Sequence, residues 1–266
     1  MAEGWAHVGA HAIGVIGAQR RPAVDPTFMT TPLSDEAVAV TARYARRGGE
    51  DRQRYSLLNP AVMLAHQERQ RAIAALLVRL GWTELRDLRL LEVGCGTGSN
   101  LVEFLRLGFL PDHLSGIELL DDSAARARAV LPDAVRIVVG DAIAMKDSIP
   151  PVSQDIVYQS TVFSSILDDR FQAELARTMW SWVRPGGGVL WYDFTVGNPS
   201  NPDVRGVPIR RVRQLFGDAA MTVRRLTLAP PLGRMAVRLH PMLYSALNAF
   251  RPLKTHTLVW IQKPTA

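Results

Sequence analysis

One run, Leu90-Leu91-Glu92-Val93-Gly94-Cys95-Gly96-Thr97-Gly98-Ser99-Asn100, constrains this chain more than any other segment. An apolar strand runs into a glycine turn and then into a helix. Glycine permits a tight turn at positive φ and lets a ligand approach the backbone with no Cβ in the way. The helix start that follows offers unpaired N–H groups to an anion or carboxylate. A strand, turn and helix in this order make the first half of a parallel βαβ unit, and ligands bind such sheets at the carboxyl ends of the strands.

The rest of the chain repeats the alternation. Strands are predicted at Arg89–Val93, His113–Glu118, Val135–Val139, Asp155–Gln159 and Gly188–Phe194, with helices at Asn100–Leu107, Ser123–Leu131 and Phe171–Val183. Short apolar strands separated by helices of this size imply right-handed parallel crossovers. Met221–Leu228 and Thr255–Gln262 read as two further strands closing the sheet. Upstream, Ser34 followed by Asp35 and Glu36 marks a helix start, running to about Arg47 and stopped by Gly48-Gly49. A second helix spans about Ala61–Leu80, where Val62, Ala65, Ile73, Leu76, Leu77 and Leu80 recur at helical spacing before Gly81. The expected organisation is a flexible arm over 1–34, N-terminal helices covering cofactor or substrate over 35–84, and the main domain over 85–266. Met29 offers an alternative start for the arm.

Composition narrows the setting. No stretch is long and apolar enough for a membrane-spanning helix. The single cysteine, Cys95, rules out an intramolecular disulfide and fits a reducing compartment, so the cytoplasm is the expected location. Cys95 itself reads as a packing residue. The formal charge of +6 could favour an anionic partner, but the arginines are scattered and form no long basic block, so no nucleic-acid partner is expected. The segment Pro230–Pro252 puts Met242, Leu243, Ala246, Leu247 and Phe250 on one helical face. It reads as a helix packed on the core, with a substrate lid or a peripheral membrane contact through 232–252 as sharper alternatives. The loop Val196–Pro208 is long enough to bind substrate.

Three acids sharpen the ligand. Glu92 precedes the glycines, Glu118 ends the second strand about 20 residues after Gly98, and Asp141 follows the third strand. All three converge on one crevice, and an acid at the position of Glu118 can accept two hydrogen bonds from a ribose diol. The dinucleotide pattern G-x-G-x-x-G needs a small third residue where this chain has Ser99, so a nicotinamide oxidoreductase is disfavoured.

The segments LEVGCGTG at 91–98, GIELL at 116–120, VGDA at 139–142, DIVYQSTVFSSI at 155–166 and RPGGGVLWYDF at 184–194 together resemble the class I S-adenosylmethionine-dependent methyltransferases. The resemblance implies an α/β, doubly wound Rossmann-like sheet of seven strands in the order 3-2-1-4-5-7-6, strand 7 antiparallel, with an N-terminal helical extension. It implies S-adenosyl-L-methionine as cofactor, with Glu92, Gly94, Gly96 and Gly98 around the methionine end. Glu118 would hold the ribose with Leu119 beside the adenine, and Asp141 would accept from the adenine amino group next to Ala142. Gln159 would lie near the sulfonium, and Tyr44 would close over the cofactor. No metal ligands are implied.

The reaction expected is a direct in-line methyl transfer, in which proximity and orientation are the main work. Asp193, ending the fifth strand, is the candidate general base for a hydroxyl acceptor, against a competing reading as a cap on the following loop. The sequence Gln159-Ser160-Thr161-Val162 lacks the Asn/Asp-Pro-Pro-aromatic pattern of enzymes acting on planar amino groups. The expectation is therefore O-methylation of a small molecule or saccharide. The rival from another class is a catalytically silent cofactor-binding or partner-binding module, and the oligomeric state is open.

Overall fold

A computed structural model describes residues 33–46, 56–197 and 201–265. The arm expected over 1–34 falls outside them except for its last two residues, as do the Gly48-Gly49 stop and residues 198–200 of the Val196–Pro208 loop.

Seven strands form one sheet: β1 (Leu90–Val93), β2 (Leu114–Glu118), β3 (Arg136–Val139), β4 (Gln154–Ser160), β5 (Val183–Phe194), β6 (Ala220–Leu228) and β7 (Lys254–Gln262). Their order is 3-2-1-4-5-7-6. β1 to β5 pair in parallel, and β7 runs antiparallel between β5 and β6. The chain leaves β1 toward β2 and β3, then returns to β4 on the other side of β1. Its carboxyl edge therefore opens a crevice beside β1.

Period-two alternation sorts the strand residues onto two covered faces. Leu90, Ile156, Tyr158 and Leu190 pack on one face with Ile73, Leu77, Leu101 and Phe104. Leu91, Val157, Val189 and Trp191 pack on the other with Leu175, Met179, Trp182 and Val212. The first set of partners comes from α2 (Pro60–Arg79) and α3 (Ser99–Leu107), with α4 (Asp121–Val130) beside them; the second comes from α5 (Asp169–Trp182) and α6 (Ile209–Phe216). Each long helix starts for a local reason. The Asn59 side chain accepts from the Ala61 N–H at 3.0 Å, with Pro60 at the first helical position. Asp168 caps α5 by accepting from the Phe171 N–H at 2.7 Å.

Two segments differ from the sequence expectation. Pro230–Pro252 is not a single helix packed on the core but two helices, α7 (Pro230–Leu239) and α8 (Pro241–Asn248). Pro241 disfavours helical backbone at the preceding residue, and His240 is extended at φ −165 and ψ 135. Met242, Leu243 and Phe250, expected on a packed face, are exposed. The helix α6 was not anticipated: IRRVRQLF carries three arginines in eight residues, and only Val212 is buried.

Candidate functional site

A cleft with a volume of about 160 Å³ opens at the carboxyl ends of β1, β2 and β3. Gly94, Gly96, Glu118, Leu119, Asp141 and Ala142 all line it. Strand register explains the convergence, because β1, β2 and β3 end level with one another, Val93 beside Ile117 and Glu118 beside Val139.

Glu118 anchors the floor. One oxygen accepts from the Gly96 N–H at 2.7 Å and the other from the Leu120 N–H at 2.9 Å. A carboxylate has about four lone-pair positions, so these two bonds fix its orientation and leave capacity for two hydroxyl donors. Gly96 sits at φ +56, and a Cβ built there would meet no atom within 4 Å. Here glycine meets a backbone demand while its missing side chain leaves open cleft. Gly94, at φ +67, is constrained by packing as well, since a Cβ would fall 2.5 Å from Val162 Cγ2. Gly98 lies outside the cleft as the N-cap of α3.

The α1 helix (Asp35–Arg46) roofs this cleft. Ala37, Val40 and Tyr44 recur at helical spacing and line it. Ser34 ties the start of the helix to the floor, its hydroxyl donating to Asp141 at 3.0 Å while accepting from the Ala37 N–H at 3.3 Å. The other Asp141 oxygen accepts from the Ile143 N–H at 2.9 Å. Further along, the buried Arg43 guanidinium donates to the Ser165 carbonyl and pairs with Glu36, which also accepts from the Leu167 N–H. The Tyr44 hydroxyl is 3.3 Å from Ser165 Oγ. The roof is thus fastened to the segment after β4 at several points.

Three residues assigned from sequence lie buried behind the cleft. Gln159 accepts from the Val162 N–H at 3.0 Å and donates to the Tyr192 carbonyl. Asp193 has no exposed surface; its oxygens accept from the Ser164 N–H at 3.1 Å and the Phe194 N–H at 2.9 Å. Burial pushes its carboxyl up to about 7, opposed by those hydrogen bonds. Glu92 is equally buried. One oxygen accepts from the Asn100 amide at 2.6 Å, and the other has no partner. Burial drives its carboxyl up to about 8 against the pull of Asn100 and Arg69. Cys95 is buried, its thiol pushed up by burial, and its Sγ occupies the space a Cβ at Gly116 would need.

Arg69 was not singled out from the sequence. From the middle of α2 it donates to Ser160 Oγ at 3.1 Å and to Asn100 Oδ1 at 2.8 Å, and it lies over the Tyr192 ring at 5.0 Å. One guanidinium therefore links the ends of β4 and β5 to the start of α3, next to Glu92. Its signal was available: Arg69 stands four residues before Ile73, on the apolar stripe of α2. Ser160 and Ser165, whose side chains meet Arg69 and Tyr44, also line the cleft and were given no site role from the sequence.

Residues 90–187 match the family model for a methyltransferase domain. No curated protein matches the chain in sequence. Among solved structures, the chain is similar to an S-adenosylmethionine-dependent methyltransferase from Mesorhizobium loti, with a TM-score of 0.51 and 17% identity, covering 67% of this chain and 93% of that one. It is similar to geranyl diphosphate C-methyltransferase from Streptomyces coelicolor A3(2), with a TM-score of 0.51 and 16% identity over 73% and 77% of the two chains. It is also similar to phosphoethanolamine N-methyltransferase 2 from Haemonchus contortus, at 0.50 and 18%, over 71% of this chain and 52% of the other. At these identities the likeness is one of fold.

Proposed function

We propose that this chain is a class I S-adenosylmethionine-dependent methyltransferase, that it binds that cofactor in the cleft over β1–β3 and that it transfers the methyl group to a small-molecule acceptor. The observation that carries the reading is Glu118. It is a nearly buried strand-end carboxylate, oriented by two backbone N–H groups, facing an open space that Gly96 leaves free.

The residues fit the cofactor. Glu118 holds the ribose hydroxyls, Leu119 and Ala142 flank the base, and Asp141 accepts from its amino group. Gly94 and Gly96 admit the methionine end close to the backbone. When bound, S-adenosylmethionine supplies a methyl group already activated by a cationic sulfur: the bond from sulfur to methyl breaks, the bond from acceptor to methyl forms, and S-adenosylhomocysteine remains. The chain contributes position and exclusion of water. Tyr44, Val40 and Ala37 cover the site, and the bonds of Ser34 and Arg43 hold the cover in place. In this reading Asp193 and Gln159 act as positioning residues, setting the shape of the segment 161–166 beside the cleft.

What lines the cleft narrows the chemistry of the acceptor. Among the described residues there is no histidine on its wall, and its two carboxylates, Glu118 and Asp141, already accept hydrogen bonds. The reading therefore favours acceptors that are nucleophilic without a strong base: an acidic hydroxyl, a neutral amine or an electron-rich carbon. A phenol fits this chemistry better than a saccharide alcohol.

Calorimetry tests the binding half. Micromolar affinity for S-adenosylhomocysteine and none for NAD is the expected outcome; affinity for NAD alone would reverse the reading. A methyl-transfer screen over phenols, amines and saccharides tests the other half. Tight cofactor binding with no transfer to any of these would favour a silent binding module.

A further inference from the structure

The helical hairpin α7–α8 presents an apolar face outward. Met235 and Leu239 on α7, then Met242, Leu243 and Phe250 on and after α8, are exposed, with Leu239 and Met242 each at 73%. On α8 the positions 242, 243 and 246 make one stripe, with Phe250 exposed just beyond the end of the helix. This face does not hold the hairpin together. The inward contacts do: Tyr244 is the buried residue of α8, and it fits against Gly233 of α7, where a Cβ would lie 3.0 Å from Tyr244 Cε2. Gly233 and Ala236 let the two helices approach closely, and Ala61 and Leu228 complete that small core. The exposed side chains are thus surplus to folding.

The chain segment that carries this face is basic, with Lys254 paired to Glu68 of α2. No Asp or Glu occurs after Asp218, so the last 48 residues carry seven Lys or Arg and no acid. The preceding 218 residues hold 24 basic and 25 acidic side chains, so the net charge of +6 resides entirely in the C-terminal segment. From Leu239 to Phe250 there is no Lys, Arg, Asp or Glu at all, and exposed Arg238 and Arg251 bracket the stretch on either side. A short uncharged apolar face bracketed by arginines suits a helix lying in the plane of an anionic bilayer, with the apolar side chains below the headgroups and the guanidiniums among the phosphates. A second copy of the chain fits poorly. A two-fold contact would set this basic segment against itself, Arg238 and Arg251 of one copy toward those of the other. The described helices include none long and apolar enough to cross a membrane, so the contact is interfacial.

We infer that the outward face of α7–α8 docks this protein on anionic lipid surfaces, through Leu239, Met242, Leu243 and Phe250, with Arg238 and Arg251 contacting phosphate headgroups. The test is co-sedimentation of the full chain with vesicles of phosphatidylcholine alone, and with vesicles in which about a third of the lipid is phosphatidylglycerol. The protein is expected to pellet with the anionic vesicles, and to be released as salt is raised. The double variant Met242→Asp/Phe250→Asp should lower the partition coefficient about tenfold or more. Arg238→Glu/Arg251→Glu should weaken pelleting on the anionic vesicles. Both variants should keep the thermal midpoint and the S-adenosylhomocysteine affinity of the parent, which separates loss of docking from loss of fold or of the cofactor site. Three outcomes would overturn the inference: no pelleting with either vesicle, equal pelleting with both, or unchanged pelleting of the aspartate variants. So would a dimer in sedimentation velocity that the aspartate substitutions dissolve, which would make this face a contact between copies.

Discussion

Glu118 and Asp193 end two strands of the same sheet, and each carboxylate accepts two backbone N–H bonds, yet they face different surroundings. Glu118 lines an open cleft. Asp193 is sealed behind the segment that follows β4, and its burial raises its carboxyl to about 7. The acids after β2 and β3 therefore line open space, whereas Glu92 on β1 and Asp193 on β5 are sealed within the chain. A strand-end position brings an acid to the edge of the sheet; what covers that edge decides what the acid can do.

Substitutions at the two acids probe this contrast. Glu118→Ala should weaken S-adenosylhomocysteine binding about a hundredfold in calorimetry, the loss of two hydrogen bonds to a charged acceptor. Asp193→Ala should instead lower stability to urea by about 2 kcal/mol, because it leaves the buried N–H groups of Ser164 and Phe194 without an acceptor. Its affinity for S-adenosylhomocysteine should stay within about threefold of the parent's. If Asp193→Ala lost the ligand and kept its stability, the two strand ends would be equivalent and the contrast would fail.

The same contrast has a pH dependence. Glu92 and Asp193 titrate at about 8 and about 7 in the folded chain, above the carboxylate range of an unfolded one. The native state therefore binds more protons than the unfolded state between these limits. The stability these groups contribute is fully present below about pH 4 and is lost as pH rises through 7 to 8. His256, depressed to about 4 by burial, acts in the opposite sense below about pH 6.5. Unfolding free energies measured by urea titration should fall between pH 6.5 and 8, by about 2 kcal/mol. Glu92→Gln, which keeps the acceptor for Asn100, should flatten part of that slope; an unchanged slope would show that Glu92 is ionised throughout.

The smallest effect concerns the roof. Ser34→Ala removes both the cap on α1 and its bond to Asp141, at a cost of about 1 kcal/mol to that helix. Amide exchange in α1 should quicken while the sheet amides stay protected. Protection unchanged in α1 would mean that its other contacts, led by Arg43 and Glu36, hold the roof without Ser34.

Much of this molecule was legible in the sequence. Alternation located all seven strands, and the glycine turn located the cleft. Glu118 and Asp141 could be placed because strand ends are local properties, and Leu119 and Ala142 because the motifs resemble those of a known family. Arg69 was missed because a helix read for its apolar stripe hides a charge on that stripe, and its partners Ser160, Asn100 and Tyr192 are distant in sequence. The helix α6 was missed because arginines alternate with its few apolar residues and leave a single buried side chain. The segment 230–252 was assigned to the core because its apolar spacing is the same whether a face looks inward or outward.

By itself the sequence determined the element order, the turn at Gly94–Gly98 and the acids at the ends of β1–β3. These follow from backbone periodicity and from the conformational freedom of glycine, which act over a few residues. Only the tertiary structure decided which acids line the cleft, that Gly98 caps a helix while Gly96 opens it, and that α8 turns its apolar stripe outward. Burial depends on which distant segments cover a surface, and no local pattern in the chain encodes that.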